Sequence, residues 1–183
     1  VANRQANTNK IEPTIASSAA VLEPSARNSM PLSDLLPQDA VLPALKVNSK
    51  KQALQEISAQ AAALTGIGER EIFDTLLQRE RLGSTGVGNG IAIPHGKLGK
   101  INRIFGLFAR LERPIDYEAL DGQPVDLIFL LLAPESAGAD HLRALSRIAR
   151  MLRDPGIVQK LRATRDGAGL HAILCDEPAS HAA

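Results

Sequence analysis

Between Gly83 and Gly96 the chain reads Gly-Ser-Thr-Gly-Val-Gly-Asn-Gly-Ile-Ala-Ile-Pro-His-Gly: a glycine-dense loop, three apolar β-formers, a proline, and then His95. An imidazole has an ordinary pKa of about 6.5, so at neutral pH much of it is uncharged and able to attack phosphorus. Gly96 adds no bulk behind His95, and the preceding glycines leave the approach open. The backbone N–H groups of this loop and the hydroxyls of Ser84 and Thr85 are candidates to receive phosphate oxygens, with Gly86, Gly88 and Gly90 shaping the nest. The chemistry suggested is phosphoryl acceptance on a histidine. The plain alternatives are a histidine that only ends a strand and a loop that only makes a wide turn.

Two further side chains fit that chemistry. His141 follows Asp140 at the start of an expected helix and shares a face with Leu145, Ile148 and Leu152, which turns it toward a sheet. A helix N-terminus favours a nearby anion and disfavours imidazolium, so His141 suits hydrogen-bond donation to a phosphoryl group. Arg79 lies on the face of Ile72 and Leu76 at the end of its helix, from where a guanidinium matched to phosphate would reach over the loop. Arg81 points elsewhere, as a solvated charge. Simple packing for His141 and a surface salt bridge for Arg79 are the competing readings. The loop lacks the Gly-Lys-Ser/Thr ending of a Walker A motif, and Ile91 stands where G-x-G-x-x-G needs its third glycine. A metal held by His95, His141 and Asp140, serving a metal-dependent hydrolase, is the alternative arrangement, although no H-E-x-x-H pair supports it. His171, His181 and Cys175 have no expected catalytic role, and Asp116, Asp121 and Asp126 show no ligand spacing.

These residues need elements to hold them. Leu32–Leu36 suits a short helical turn, and 41–47 an edge strand marked by Pro43. Ser49 suits the N-cap of a helix carrying Leu54, Ile57, Ala61 and Leu64, ended at Thr65-Gly66. A second helix is expected over 69–82, with Ile72, Phe73, Leu76 and Leu77 inward and Gly83 behind it. Strands are expected over 91–93 and 104–111, then a turn at Asp121-Gly122, and a central strand over 125–133 covered on both faces. Helices follow over 140–153, carrying Leu142, Leu145, Ile148, Ala149 and Leu152, then from Asp154-Pro155, and over 167–175. Strands interleaved with helices give one α/β domain over 30–176, between a disordered tail at 1–29 and a flexible end at 177–183.

Composition narrows the function. The 183 residues carry a net charge of +1, which argues against a general nucleic-acid binder, and an aromatic content of 3% argues against base-stacking platforms. Cys175 is the sole cysteine, so an internal disulfide is excluded and a reduced, cytoplasmic setting is expected. The longest apolar run, 127–133, is too short to cross a bilayer, and 1–29 lacks the pattern of a secretory signal.

The stretch from Gly83 to Leu98 closely resembles the active-site signature of the fructose/mannitol-type enzyme IIA family of the phosphoenolpyruvate-dependent phosphotransferase system, in its nitrogen-related branch. Asp121-Gly-Gln-Pro-Val-Asp-Leu-Ile-Phe129 and Asp140-His-Leu142 resemble the same family, in order and at suitable spacing. The resemblance covers about 30–176. It implies a mixed β-sheet flanked by helices on both sides. It also implies that His95 accepts a phosphoryl group from a phosphohistidine on a small HPr-like carrier (NPr), with His141 as the second active-site histidine and Arg79 as the arginine upstream of the loop. No cofactor and no metal are implied, and potassium-transport regulators and sensor kinases are among the targets it suggests. A docking carrier would need apolar residues around His95, for which Val87 and Ile91 are candidates.

Overall fold

A computed structural model describes residues 30–176. The tail expected over 1–29 and the end expected over 177–183, with His181, lie outside the described residues. The elements run Leu32–Leu35 (α1), a 3₁₀ turn at Gln38–Ala40, Val41–Leu45 (β1), Lys50–Thr65 (α2), Glu69–Arg81 (α3), Gly86–Gly88 (β2), Ile91–Ala92 (β3), His95–Leu98 (β4), Phe105–Ile115 (β5) and Val125–Pro134 (β6). A second 3₁₀ turn at Glu135–Ala137 then leads to Gly138–Met151 (α4), Pro155–Ala163 (α5) and Gly167–Cys175 (α6).

The sheet is organised by β6, whose Leu, Ile, Phe and Val residues are almost wholly buried. A strand so apolar needs cover on both faces and pairing on both edges. Strand β5 pairs with it antiparallel, while β3 and β4 pair with it parallel, one after the other along its other edge. The sheet order is β1-β5-β6-β3-β2, with β1 parallel to β5 and β2 antiparallel to β3. The register assigns the faces. Gly96, Leu132 and Phe105 share one cross-strand row, as do His95, Leu131 and Gly106. A Cβ on Gly96 would meet Thr75 and Leu76 of α3, whereas one on Gly106 would meet Leu35 of α1. Helices α2 and α3 therefore cover one face. Helices α1, α5 and α6 cover the other, and α4 packs on β6. The sheet is mixed and flanked by helices on both sides, as expected.

Several local expectations need correction. Two strands stand outside those expectations: β2, inside the stretch read as loop, and β4, over 95–98, which His95 opens rather than follows. Glycine hides both, because its low strand propensity is outweighed here by pairing partners distant in sequence. Gly88, Asn89 and Gly90 all have positive φ (102°, 55° and 78°), which makes the β2–β3 turn sharp enough to pair such short strands. Strand β1 stops at Leu45, and its register slips between Leu42 and Leu45, where Pro43 cannot donate to the ladder. Strand β5 continues to Ile115. Helix α4 begins at Gly138 and ends at Met151. Leu64 and Leu142, counted with the inward residues, are exposed.

Gly86 shows how tightly the hairpin is packed. A Cβ there would lie 2.7 Å from the Cβ and 2.8 Å from the Cα of Ala119, which is backbone and cannot swing aside. Gly86→Ala is expected to lower stability by about 1–3 kcal/mol through overpacking. Urea denaturation should show this as a lower midpoint at unchanged slope.

Candidate active site

The backbone of β3 and β4 sets the state of His95. Its Nδ1 lies 2.8 Å from the carbonyl oxygen of Ile93, which can only accept, so Nδ1 carries the proton. Its Nε2 lies 3.1 Å from Nε of Arg79, which can only donate, so Nε2 keeps its lone pair. Together the contacts define one neutral tautomer with Nε2 as the nucleophilic atom. Burial lowers the pKa of His95; the Ile93 carbonyl and Glu80 work the other way, and the Arg79 charge adds to the lowering. Arg79 is itself anchored, its Nη1 donating to the Gly83 carbonyl at 3.0 Å. The helical phase that put Arg79 near the loop is matched by its position, and Arg81 is exposed.

His141 comes from α4 to the same place. It is 7% exposed, and its ring centroid lies 5.8 Å from that of His95, tilted by 49°. Its Nε2 is buried and has no partner among the described residues. Burial, then the nearby charges possible on His95 and Lys97, lower its pKa, so this ring too is held neutral. A buried ring nitrogen without a partner costs free energy unless a ligand supplies the missing bond.

The phosphate nest expected over 84–90 is largely committed elsewhere. The N–H of Thr85 donates to both carboxylate oxygens of Glu80 at 3.1 Å, and its hydroxyl donates to the same carboxylate. The Ser84 hydroxyl accepts from the Gly86 N–H at 3.2 Å and faces the Tyr117 carbonyl at 3.3 Å. Gly88 and Gly90 serve the turn and lie away from the histidine. The Gly90 carbonyl accepts from Asp126 and Leu127, whereas His95 pairs beside Leu131, roughly 13 Å further along β6. Only the Gly83–Thr85 end stays close, because Thr85 accepts the N–H of Ile93 at 2.9 Å. Ile91 is 2% exposed and cannot frame the histidine from outside, whereas Val87 stands out from the surface.

Glu80 joins the site although its sequence context suggests no such role. It is buried, and beyond Thr85 it pairs with Lys50 at 3.3 Å. Burial works against the Lys50 charge, but Glu118 and Glu80 outweigh it and raise its pKa. Lys50 also sits 5.4 Å from the centre of the Tyr117 ring. Because Thr85 donates to Glu80, the buried Tyr117 hydroxyl must donate to Thr85, at 3.2 Å; burial, then Glu80, push that phenol well above its usual pKa. The sequence did carry a signal, since Ile72, Leu76 and Glu80 fall at i, i+4 and i+8 on one buried face.

Among the described residues, no group of three or more His, Cys, Asp or Glu side chains is placed to hold a metal ion. Asp140, the third ligand of the alternative arrangement, pairs instead with Arg143 at 3.0 Å. His171 lies against the Leu36 carbonyl and Cys175, away from this site. No helix among the described residues is long and apolar enough to cross a membrane.

Known proteins resemble this chain in sequence and in fold. Residues 34–176 match the family described as phosphoenolpyruvate-dependent sugar phosphotransferase system, EIIA 2. A nitrogen regulatory protein of Bradyrhizobium diazoefficiens is 66% identical over 153 residues, covering 84% of this chain and 100% of that one. Its Escherichia coli namesake is 42% identical over 149 residues, covering 81% and 91%. The crystal structure of nitrogen regulatory protein IIA-Ntr from Neisseria meningitidis matches with a TM-score of 0.75 at 35% identity, covering 78% of this chain and 98% of that one. The mannitol IIA of Escherichia coli, at 18% identity and a TM-score of 0.64, covering 75% and 97%, shares the fold. The chain thus belongs to the type 2 EIIA family of the phosphoenolpyruvate-dependent phosphotransferase system, alongside its nitrogen regulatory members.

Proposed function

We propose that this chain accepts a phosphoryl group on Nε2 of His95 from a phosphohistidine of an HPr-like carrier, and that its two phosphorylation states bind regulatory targets differently. Members of the EIIA family are phosphotransfer proteins, and an EIIA domain implies an HPr-like phosphocarrier as partner. The observation that carries the reading is the state of the two rings: His95 with a directed lone pair, and beside it the Nε2 of His141, without a partner among the described residues.

In the proposed step the N–P bond of the donor breaks as the Nε2–P bond forms. The donor nitrogen keeps the electron pair and takes up a proton from solvent. The His95 ring gains a positive charge, which its Nδ1–H shares with the Ile93 carbonyl. Arg79, which covers Nε2 at rest, moves to a phosphoryl oxygen, and His141 Nε2–H donates to another. Positioning and charge stabilisation supply most of the rate in such a transfer. Leu82, Val87, Leu120 and Leu142 are the apolar side chains exposed around these elements, Leu82 at 85% and Leu120 at 80%. They follow Arg79, stand on β2, hydrogen-bond through backbone to Gly86, and neighbour His141 in turn. Exposed apolar side chains of this kind suit docking of a carrier that must exclude water from the transfer. Targets would then read the added charge of the phosphorylated state, whether potassium-transport regulators or sensor kinases.

Incubation with phosphoenolpyruvate, the first enzyme and the carrier should place an acid-labile label on His95. His95→Ala should take up none; full labelling of that variant would sink the assignment. His141→Ala should reach the same final stoichiometry, but about 100-fold more slowly, in line with loss of one transition-state donor.

The acceptor rate should also depend on pH in a definite sense. Protonation at Nε2 blocks attack, and the His95 pKa is lowered, so the rate should hold on acidification past the ordinary value of about 6.5 and fall only below it. Both histidines bind protons more readily in the unfolded chain. Stability should therefore fall as pH drops below about 6.5, and His141→Ala should flatten that fall in urea titrations.

A further inference from the structure

Both contacts that define the state of His95 lead back to one turn of chain. Its Nδ1 donates to the Ile93 carbonyl at 2.8 Å, and Ile93 is held in turn by its N–H, which donates to the Thr85 carbonyl at 2.9 Å. Its Nε2 accepts from Arg79 Nε at 3.1 Å, and Arg79 is held by Nη1 on the Gly83 carbonyl at 3.0 Å. Gly83 and Thr85 both lie in the turn that leaves α3, and Glu80 closes that turn. The Glu80 carbonyl accepts the N–H of Gly83 at 3.1 Å; its carboxylate accepts the N–H of Thr85 at 3.1 Å and the Thr85 hydroxyl. Lys50 pairs with the same carboxylate at 3.3 Å. Glu80 is 7% exposed, so these bonds form with little competition from water. A neutral side chain could close the same turn without the cost of burying a carboxylate. The charge has an effect of its own, because it raises the His95 pKa against burial and Arg79, which lower it. What favours a protonated ring also favours the positive ring that forms when Nε2 bonds phosphorus.

We propose that Glu80 is a positioning residue for transfer at His95, a role that rests on His95 being the phosphoryl acceptor. Its carboxylate fixes Thr85, and the turn so fixed presents Ile93 to one ring nitrogen and Arg79 to the other. Glu80 acts through those two residues and through its charge. Besides Glu80, the titratable and charged groups that face His95 are Arg79 of α3 and His141 of α4, with Lys97 acting on His141. All three are kept in the variants below, so a changed His95 pKa reports Glu80.

NMR of the full chain, carrying ¹⁵N in its histidine rings, reads the tautomer and pKa of His95 without any phosphoryl transfer. The parent should show the proton on Nδ1. Glu80→Gln keeps an acceptor for the Thr85 N–H but removes the charge, and should lower the His95 pKa further. Glu80→Ala also releases Thr85, and should populate the tautomer protonated at Nε2. Single-turnover transfer from the phosphorylated carrier should slow about tenfold in Glu80→Gln and about 100-fold in Glu80→Ala, with half-saturation by the carrier within about twofold of the parent, as when reacting atoms are displaced and docking is not. Thr85→Val removes only the hydroxyl bond and decides the matter where the Glu80 variants do not fold; it should slow transfer about tenfold, and Thr85→Ser should restore the parent rate. Folded Glu80→Gln and Thr85→Val proteins that transfer at the parent rate overturn the proposal, whatever their stability. A parent chain that takes up no label on His95 removes the acceptor reading and this role with it, whereas normal labelling of the parent confines the failure to Glu80.

Discussion

The buried carboxylate of Glu80 is the constraint from which the rest of the site follows. Removing one partner from a buried hydrogen-bonded charge costs roughly 3–5 kcal/mol, so whatever satisfies it is held firmly. What satisfies it here is Thr85, through both its N–H and its hydroxyl, and Lys50 from the start of α2. The last turn of α3 is thereby fastened to the beginning of the glycine hairpin. Thr85 in turn accepts the N–H of Ile93, and the Ile93 carbonyl accepts the proton of His95 Nδ1. The tautomer of the histidine thus traces back through Ile93 and Thr85 to a carboxylate on a helix, and Arg79, adjacent to Glu80, comes into place with it.

The same arrangement accounts for the electrostatics. Burial pushes both imidazoles toward neutrality, and Arg79 adds to this for His95. Glu80 and the Ile93 carbonyl pull the other way, which keeps the ring basic enough to react while leaving its lone pair free of a proton. Arg79 occupies that lone pair without protonating it, since a guanidinium does not surrender its proton. Arg79 thus sets a fixed positive charge beside two rings held toward neutrality, a pairing that favours an arriving anionic phosphoryl group.

Legibility in the sequence varied with how local the cause was. The apolar run 125–133 announced a central strand because every neighbour it would have must be apolar as well. The spacing of Ile72, Leu76 and Arg79 brought Arg79 to the loop because one helix repeats its faces regardless of its surroundings. The glycine hairpin was only half legible. Its turn followed from residues that tolerate positive φ, but β2 and β4 exist through pairing with segments far along the chain. Leu142 was misplaced for a related reason: on α4 the apolar periodicity serves the sheet at Leu145 and Ile148, while Leu142 faces outward beside His141. Glu80 left a trace as a charge on an apolar stripe, but its role needed Thr85, Lys50 and Tyr117 to come together.

By itself the sequence determined which side chain suits such chemistry and which helices would flank it. Composition, periodicity and the run of residues around His95 are local properties that survive without coordinates. Only the tertiary structure decided which nitrogen of His95 holds the lone pair. That choice belongs to a carbonyl two residues away and a guanidinium sixteen residues away, brought to opposite sides of one ring. It also decided that most of the glycine loop turns away from the histidine, because burial and pairing are set by neighbours distant in the chain.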